Sequence, residues 1–286
     1  MKLTNETGLP ASIVNAVRND PYSSGGADIS VTRLIQPPQL VELARKHDEE
    51  IVVDASEMIF SLFGQAVHHI LDRADDAGAV HEQRLFTTHR GWKISGAFDR
   101  YLNGLIQDYK VTSIYSVRDG GKKEWEEQQN LLACLARRNG MPVTQLQIVA
   151  ILRDWRRAEM EREGNEYPRY QVQIVRLPLW AQDKAEQFLD ERVQLHQKAR
   201  AGWPFTCSND ERWFTGESWA VMKKGGKRAI KLHETREEAQ KHADNAAAAN
   251  DAKYHVEHRP GKYNRCQTYC VAADFCPQWK EQRPTF

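Results

Sequence analysis

The sequence predicts a mixed α/β protein, with a central mixed sheet flanked by helices and a small cysteine-bounded α+β module at the C-terminal end. Between residues 58 and 200 the patterns follow the order helix, hairpin, helix, strand, strand, helix, which is typical of a mixed sheet with helices on its faces. Near Gly202 the composition changes, and four of the five cysteines lie beyond that point. We therefore expect an N-terminal helical and irregular segment (1–57), a core (58–200) and a C-terminal module (201–286).

The segment before the core mixes extended and helical patterns. ISVTRLI (29–35) reads as a short extended segment, and Pro37-Pro38 precedes a helix that ends near His47. The core then opens with a helix from Ser56, its N-cap, to Asp76. Apolar residues recur at helical spacing along this helix: Met58, Ile59, Leu62, Phe63, Ala66, Val67, Ile70 and Leu71.

A hairpin follows in GWKISGAFDRYLNGLIQDYKVTS (91–113). Asn-Gly between two strand-like runs is a strong short-range hairpin signal. If Asn103-Gly104 is the loop, counting back along both strands pairs Asp99 with Asp108. Directly opposed residues point to the same face, with Cβ atoms about 4.5–5.5 Å apart. Lys110, two positions further along, shares that face because side chains alternate along a strand.

The remaining patterns complete the sheet and the module. The core continues with an amphipathic helix from Lys123 to Arg138, two strands in VTQLQIVAILRDW and YPRYQVQIVRLPLW, a charged loop between them from Arg156 to Asn165, and a helix from Ala181 to Ala199. The module contains a basic hairpin, WAVMKKGGKRAIKLH, and a helix from Thr235 to about Ala249.

Composition limits the classes of function. Forty Lys and Arg residues against 39 Asp and Glu leave the chain near neutral, so a polyanion site must be a local patch. MKLTNETGLP lacks the apolar stretch of a signal peptide, and no run approaches the roughly 18 apolar residues of a membrane span. We expect a soluble cytoplasmic protein, in which cysteines are more often metal ligands or ordinary thiols than disulfides.

The hairpin predicts a metal site. Two carboxylates on one face repel each other unless a cation lies between them. Asp99 and Asp108 therefore indicate a bound metal ion with Lys110 beside it, and the alternative is a solvated face with two acids and a lysine. His68, in the preceding helix, is either a third ligand or a packed or capping residue. Glu82 is either an accessory acid or a surface residue.

The helix after the hairpin carries two adjacent glutamines, Gln128 and Gln129. A glutamine amide can both donate and accept hydrogen bonds, so it could orient a phosphate or a ligand carboxylate. The alternative is an ordinary surface glutamine.

The cysteines predict a second metal site. Cys266, Cys270 and Cys276 lie within eleven residues, and Cys207 lies 59 positions before the first of them. Four thiolates form a complete shell for either Zn²⁺ or an iron–sulfur cluster. Because such a site would clip the ends of the module together, we expect it to be structural. Cys134 lies among leucines in a helical pattern and is interpreted as a small buried apolar residue.

With these residues assembled, the chain resembles the iron–sulfur members of the RecB-like branch of the PD-(D/E)XK nuclease superfamily. These members include CRISPR-associated adaptation nucleases, AddAB-type nuclease domains and bacteriophage nucleases. Residues 58–132 carry the resemblance, through His68 in GQAVH, Asp99 in GAFD, the element Asp108-Tyr109-Lys110, and Gln128. The family usually has a tyrosine four positions after this glutamine, where this chain has Leu132.

The resemblance implies a restriction-endonuclease-like fold and a metal-dependent deoxyribonuclease, an exonuclease acting at DNA ends or on single strands, in a bacterial or phage-infected cell. It implies Mg²⁺ or Mn²⁺ held by His68, Asp99, Asp108 and the Tyr109 carbonyl, with Asp99, Asp108, Lys110 and Gln128 as catalytic residues. It also implies a [4Fe–4S] cluster on Cys207, Cys266, Cys270 and Cys276, with Zn²⁺ as the alternative.

Two other functions remain open. One is a non-catalytic nucleic-acid-binding module with a zinc-stapled tail, and the other is a different metal-dependent hydrolase that uses the same acid pair.

Overall fold

The computed structural model describes residues 1–20, 23–74, 76–118, 120–249 and 253–283. The chain divides into two compact units, Met1–Phe205 (unit 1) and Thr206–Phe286 (unit 2). No helix within the described residues is long and apolar enough to cross a lipid bilayer.

Unit 1 alternates strands and helices. Its strands are β1 (Lys2–Thr4), β2 (Ile29–Ser30), β3 (Val52–Asp54), β4 (Val80–His89), β5 (Trp92–Leu102), β6 (Leu105–Thr112), β7 (Gln145–Leu152) and β8 (Val172–Leu177). Its helices are α1 (Ala11–Arg18), α2 (Val31–Leu34), α3 (Pro38–Lys46), α4 (Ile59–Asp72), α5 (Tyr115–Arg118), α6 (Lys123–Arg138), α7 (Arg157–Glu163) and α8 (Gln182–Arg200).

The main sheet of unit 1 has six strands and is mixed. Its order is β2-β5-β6-β7-β8, and β4 also pairs with β5. The pairs β2–β5 and β6–β7 are parallel, whereas β5 is antiparallel to β4 and β6, and β8 is antiparallel to β7. Helix α4 contacts β6, and α6 contacts β4, β5 and β7. The predicted mixed sheet flanked by helices is confirmed.

The predicted hairpin loop is also confirmed. Leu102 pairs with Leu105, so Asn103 and Gly104 are the two loop residues. Their φ angles are +48° and +84°, and positive φ at both central residues is what a type I′ turn requires. The ladder between β5 and β6 ends at the pair of Arg100 with Gln107. Asp99 and Asp108 are therefore the next residues beyond the last ladder pair.

Helix α6 packs closely on β5 at a glycine. Leu131, Leu132 and Leu135 are buried in the main core. A Cβ atom added to Gly96 would lie 2.5 Å from Cδ2 of Leu132 and 2.9 Å from Cγ2 of Val31. The absence of a side chain at this position therefore sets the distance between the helix and the sheet.

Replacing Gly96 with alanine is expected to lower the free energy of unfolding by about 1–3 kcal/mol, because overpacking displaces core side chains. Gly64→Ala is the control: Gly64 lies within α4, and a Cβ added there meets no atom within 4 Å. The control is expected to be neutral or to stabilise by up to about 1 kcal/mol. Urea unfolding of both variants measures the difference, and equal midpoints would contradict the packing described for Gly96.

Three local predictions differ from the structure, and one strand was not predicted. Only the first two residues of ISVTRLI are extended, because the Ser30 hydroxyl accepts from the Arg33 N–H and starts α2. The Ser56 N-cap was wrong: Asp54 caps a 3₁₀ turn instead, and α4 ends at Asp72. The charged loop contains helix α7, with ion pairs along its surface. Strand β4 was not predicted.

Unit 2 has a three-stranded antiparallel sheet of order β10-β9-β11, formed by β9 (Ser218–Lys223), β10 (Ala229–His233) and β11 (Tyr254–Arg259). Helix α9 (Arg236–Ala249) packs on it through a small core of Val221, Ala239 and Ala243. The cysteine-rich segment follows as short helical turns, and α10 (Pro277–Gln282) ends the described part of the unit. Residues 284–286 of the predicted module lie outside the described residues.

Candidate metal centre and active site

Two buried carboxylates lie where the β5–β6 ladder ends. Asp99 and Asp108 are 7% and 2% exposed. Oδ2 of Asp99 accepts a hydrogen bond of 2.6 Å from the Tyr109 N–H. This contact from side chain to backbone holds the end of β5 against β6 beyond the last ladder pair.

Helix α4 brings His68 to the same place. Its Nε2 donates to the Tyr109 carbonyl at 2.9 Å. Its Nδ1 lies 3.3 Å from Oε1 of Glu82 and 3.5 Å from Oδ1 of Asp99. One imidazole ring therefore contacts two carboxylates and a backbone carbonyl, all of which can bind a cation.

Glu82 completes this group. In β4 it lies between the pairs of His81 with Arg100 and Gln83 with Phe98, which places it opposite Asp99. Its φ is +46°, a conformation that is uncommon outside glycine and is often found at functional sites. Within the described residues, potential ligand atoms of His68, Glu82 and Asp99 all lie within 4.8 Å of one another. We call these three residues the ligand cluster.

Asp108 is paired with Lys110. The Lys110 ammonium lies 2.6 Å from Oδ2 of Asp108, and 27% of the lysine side chain is exposed. Burial lowers the pKa of Lys110, but the charges of Asp108 and Asp99 outweigh burial and hold the pKa above its usual value. Lys110 is therefore a fixed positive charge beside the ligand cluster at neutral pH.

Asp99 and His68 both have raised pKa values in the absence of a metal. Burial, followed by the charge of Asp108, raises the pKa of Asp99 to about 7. The hydrogen bond to Glu82 and the charge of Asp99 raise the pKa of His68 to about 9, against the lowering effect of burial. A cation that binds this cluster must displace these protons.

This competition predicts a pH dependence for metal binding. Below pH 7, Asp99 is increasingly protonated, so the affinity for Mn²⁺ should fall by about tenfold or more for each pH unit lost. Above pH 7 the dependence should weaken, with a remaining contribution from His68. Calorimetric titration of Mn²⁺ between pH 5.5 and 8 measures this slope. A pH-independent affinity would contradict the involvement of Asp99, and Asp99→Asn should bind weakly and with a flatter slope.

The donor set fits a hard divalent cation. Carboxylate and carbonyl oxygens suit Mg²⁺ and Mn²⁺, and a single imidazole is compatible with Mn²⁺. Two members of the ligand cluster, His68 and Glu82, line a cleft of about 800 Å³, and Arg84 and Lys110 line the same cleft. A substrate in this cleft could reach both the cluster and the lysine.

Gln128 is not among the residues that line this cleft. Its Nε2 is 3.4 Å from the Thr32 hydroxyl at an exposed position. Its neighbour Gln129 is fully buried, and neither of its amide atoms has a hydrogen-bond partner among the described residues. The sequence indicated a polar group on this helix but did not identify which glutamine faces inward.

Unit 2 gathers four thiols. Burial, followed by the charges of Glu211 and of the other three cysteines, raises the pKa of the Cys207 thiol to about 12. The Gln278 side chain hydrogen-bonds both the N–H and the carbonyl of Cys207, at 2.9 Å each. The segment around Cys207 is thereby tied to α10, next to the other cysteines. Cys134 is fully buried in α6, where the sequence placed it.

Comparisons with known proteins give one family match, which lies in unit 2. Residues 212–269 match a family described as "Uncharacterized protein conserved in bacteria (DUF2188)". No curated protein matches the chain significantly. A crystal structure named SSO0001 covers 70% of this chain and 89% of its own, at 16% identity and a TM-score of 0.47. A "Putative exonuclease" from Eubacterium rectale covers 52% of this chain and 53% of its own, at 16% identity and a TM-score of 0.31. These similarities are too low to support an argument about function.

Proposed function

We propose that the chain is a metal-dependent nuclease that hydrolyses phosphodiester bonds of DNA, at ends or in single strands. The observation that supports this most strongly is the ligand cluster, of which His68 and Glu82 line an open cleft, with the Asp108–Lys110 ion pair beside it. Assignment to the RecB-like PD-(D/E)XK nucleases, with their restriction-endonuclease-like fold, belongs to the same proposal. The order of His68, Asp99 and Asp108-Tyr109-Lys110 along the chain supports it.

Each residue has a role that follows from its surroundings. His68, Glu82, Asp99 and Asp108 would hold Mg²⁺ or Mn²⁺, helped by the Tyr109 carbonyl. When bound, the cation would supply Lewis acidity toward a phosphoryl oxygen and would lower the pKa of a coordinated water. Lys110, charged at neutral pH, neutralises negative charge that develops on the phosphate in the transition state. The Tyr109 N–H fixes the orientation of the Asp99 carboxylate.

The test compares substrates of increasing size with the full-length protein. End-labelled single- and double-stranded DNA, closed circular single-stranded DNA and bis(p-nitrophenyl) phosphate are each incubated with Mg²⁺ or Mn²⁺, and with EDTA as the control. The proposal predicts metal-dependent cleavage of linear DNA with a kcat/KM far above that for the small ester. Efficient turnover of the small ester alone would indicate a different hydrolase. Binding of DNA without any cleavage would indicate a non-catalytic module.

We also propose that Cys207, Cys266, Cys270 and Cys276 bind one metal centre in unit 2. Their mutual electrostatic influence supports a shared site. A tetrahedral Zn²⁺ with bonds of about 2.3 Å holds its sulfur atoms about 3.8 Å apart. In a [4Fe–4S] cluster each thiolate would bind a different iron atom, whereas all four would bind one ion in a zinc site. The centre would join the two ends of the unit.

A further inference from the structure

Unit 2 contains a buried arginine beside the cysteines. Arg212 is 3% exposed. Its Nε donates to Sγ of Cys266 at 3.5 Å, and its Nη2 donates to Oε1 of Gln282 at 2.6 Å. Its guanidinium carbon lies 3.5 Å from the centre of the Tyr263 ring. The guanidinium group is thus enclosed by a thiol, an amide and an aromatic face.

No carboxylate accompanies this charge. Among the described residues, no Asp or Glu oxygen lies within 4 Å of the guanidinium nitrogens of Arg212. Other arginines of the chain do have such partners: Arg90 pairs with Asp190, and Arg118 pairs with Glu163. A buried guanidinium is unfavourable unless an anion compensates it. Of its three contacts, the Gln282 amide cannot ionise and Tyr263 presents its ring face. The Cys266 thiol is therefore the contact that can supply the missing negative charge.

Cys266 becomes a permanent anion when it binds a metal, because the thiolate is the ligand form. Four thiolates around Zn²⁺ carry a net charge of −2, and four around a [4Fe–4S]²⁺ cluster carry the same charge. We propose that Arg212 is the counter-charge of the metal–thiolate centre. Its guanidinium group donates to the Cys266 sulfur and so compensates the negative charge of the centre. The inference rests on the proposed cysteine centre and assigns that centre a specific partner in the protein.

The surroundings of Arg212 support this assignment. Cys266, Cys270, Tyr263 and Gln282 all line one cavity of about 940 Å³. Tyr263 and Gln282 are the other two contacts of Arg212, so the residues that fix the guanidinium also border the space beside the thiols. Arginine suits this role because its planar, weakly hydrated fork can stack on a ring while donating in two directions.

The proposal predicts that loss of the Arg212 charge destabilises the metal-loaded protein but not the metal-free protein. Arg212→Met removes the charge and keeps most of the bulk. In the metal-loaded protein it should lower the melting temperature of unit 2 and speed metal release to a chelator at least several-fold. In the metal-free protein it should leave the melting temperature unchanged or raise it, because an uncompensated charge is removed. Arg212→Lys keeps the positive charge but loses the planar guanidinium group. Its melting temperature and its rate of metal release should therefore lie between those of the wild type and Arg212→Met.

The experiment uses the full chain, purified without oxygen, with its metal content measured first. Release is followed with bathophenanthroline for iron or 4-(2-pyridylazo)resorcinol for zinc, and unfolding by calorimetry. Arg259→Met is the control, because Arg259 also donates to a sulfur, that of Met222, but pairs with the Glu257 carboxylate. It should not change the rate of metal release.

A purely structural arginine would destabilise both states alike and leave metal release unchanged, which would overturn the proposal. If the metal-free protein shows no thermal transition for unit 2, the rate of metal release alone decides between the proposal and a purely structural arginine. A wild type that binds no metal at its cysteines would overturn the proposed centre itself, and with it this inference. A metal-loaded wild type that releases metal at the same rate as Arg212→Met would overturn the inference alone.

Discussion

Asp99→Asn is expected to reduce Mg²⁺-dependent DNA cleavage about a thousandfold without unfolding the protein. An amide cannot balance the charge of the cation, and loss of several kcal/mol of transition-state stabilisation corresponds to about three powers of ten in rate. The amide oxygen can still accept from the Tyr109 N–H, so the local structure should persist. Initial rates on end-labelled DNA at saturating Mg²⁺ measure the effect.

The same variant should be at least as stable as the wild type when no metal is present. Asp99 is buried beside Asp108, whose charge opposes ionisation of Asp99. Removing the charge relieves this repulsion at neutral pH. Asp183→Asn is the control, because Asp183 lies at an exposed position in the first turn of α8, and its activity should stay close to wild type. Wild-type activity in Asp99→Asn would contradict the role given to this carboxylate.

Cys207→Ser is expected to release the metal centre of unit 2, with metal content falling to about a tenth of wild type or less. Cys207 is the ligand that is remote in sequence, so its loss opens the longest loop closed by the centre. Because binding free energy at such sites is also folding free energy, the thermal transition of unit 2 should disappear or move far down in temperature. Elemental analysis and calorimetry measure the two effects.

Cys134→Ala is the matched control for this loss. Cys134 is a fully buried thiol in α6 of unit 1, away from the other cysteines in sequence. Its replacement should leave the metal content of the protein unchanged. Equal metal contents in Cys207→Ser and wild type would contradict the four-cysteine centre.

Local chemistry made part of the site predictable from the sequence. The dipeptide Asn103-Gly104 favours a tight two-residue turn. This turn sets the register of β5 and β6, which places Asp99 next to Asp108. His68 could be proposed because an imidazole is a credible third ligand beside two acids, and because GQAVH resembles the motif of a known family. The pairing of the two acids needs only turn geometry and the period of a strand.

The rest of the site depends on tertiary pairing, which the sequence does not show. Glu82 joins the ligand cluster because β4 pairs with β5 in one particular register, and its positive φ departs from ordinary strand geometry. Gln128 and Gln129 have the same chemistry, and only the packing of α6 on the sheet buries one of them. Leu132, at the position where the family that the sequence resembles usually has tyrosine, packs in the core near Gly96.

The central claim is that the ligand cluster of unit 1 holds the catalytic cation. The most direct test is anomalous scattering from crystals of the full chain grown with Mn²⁺, with DNA cleavage measured on the same preparation. The account predicts a manganese peak in contact with His68, Glu82 and Asp99, and no such peak in Asp99→Asn. Active protein with its manganese bound elsewhere would contradict it.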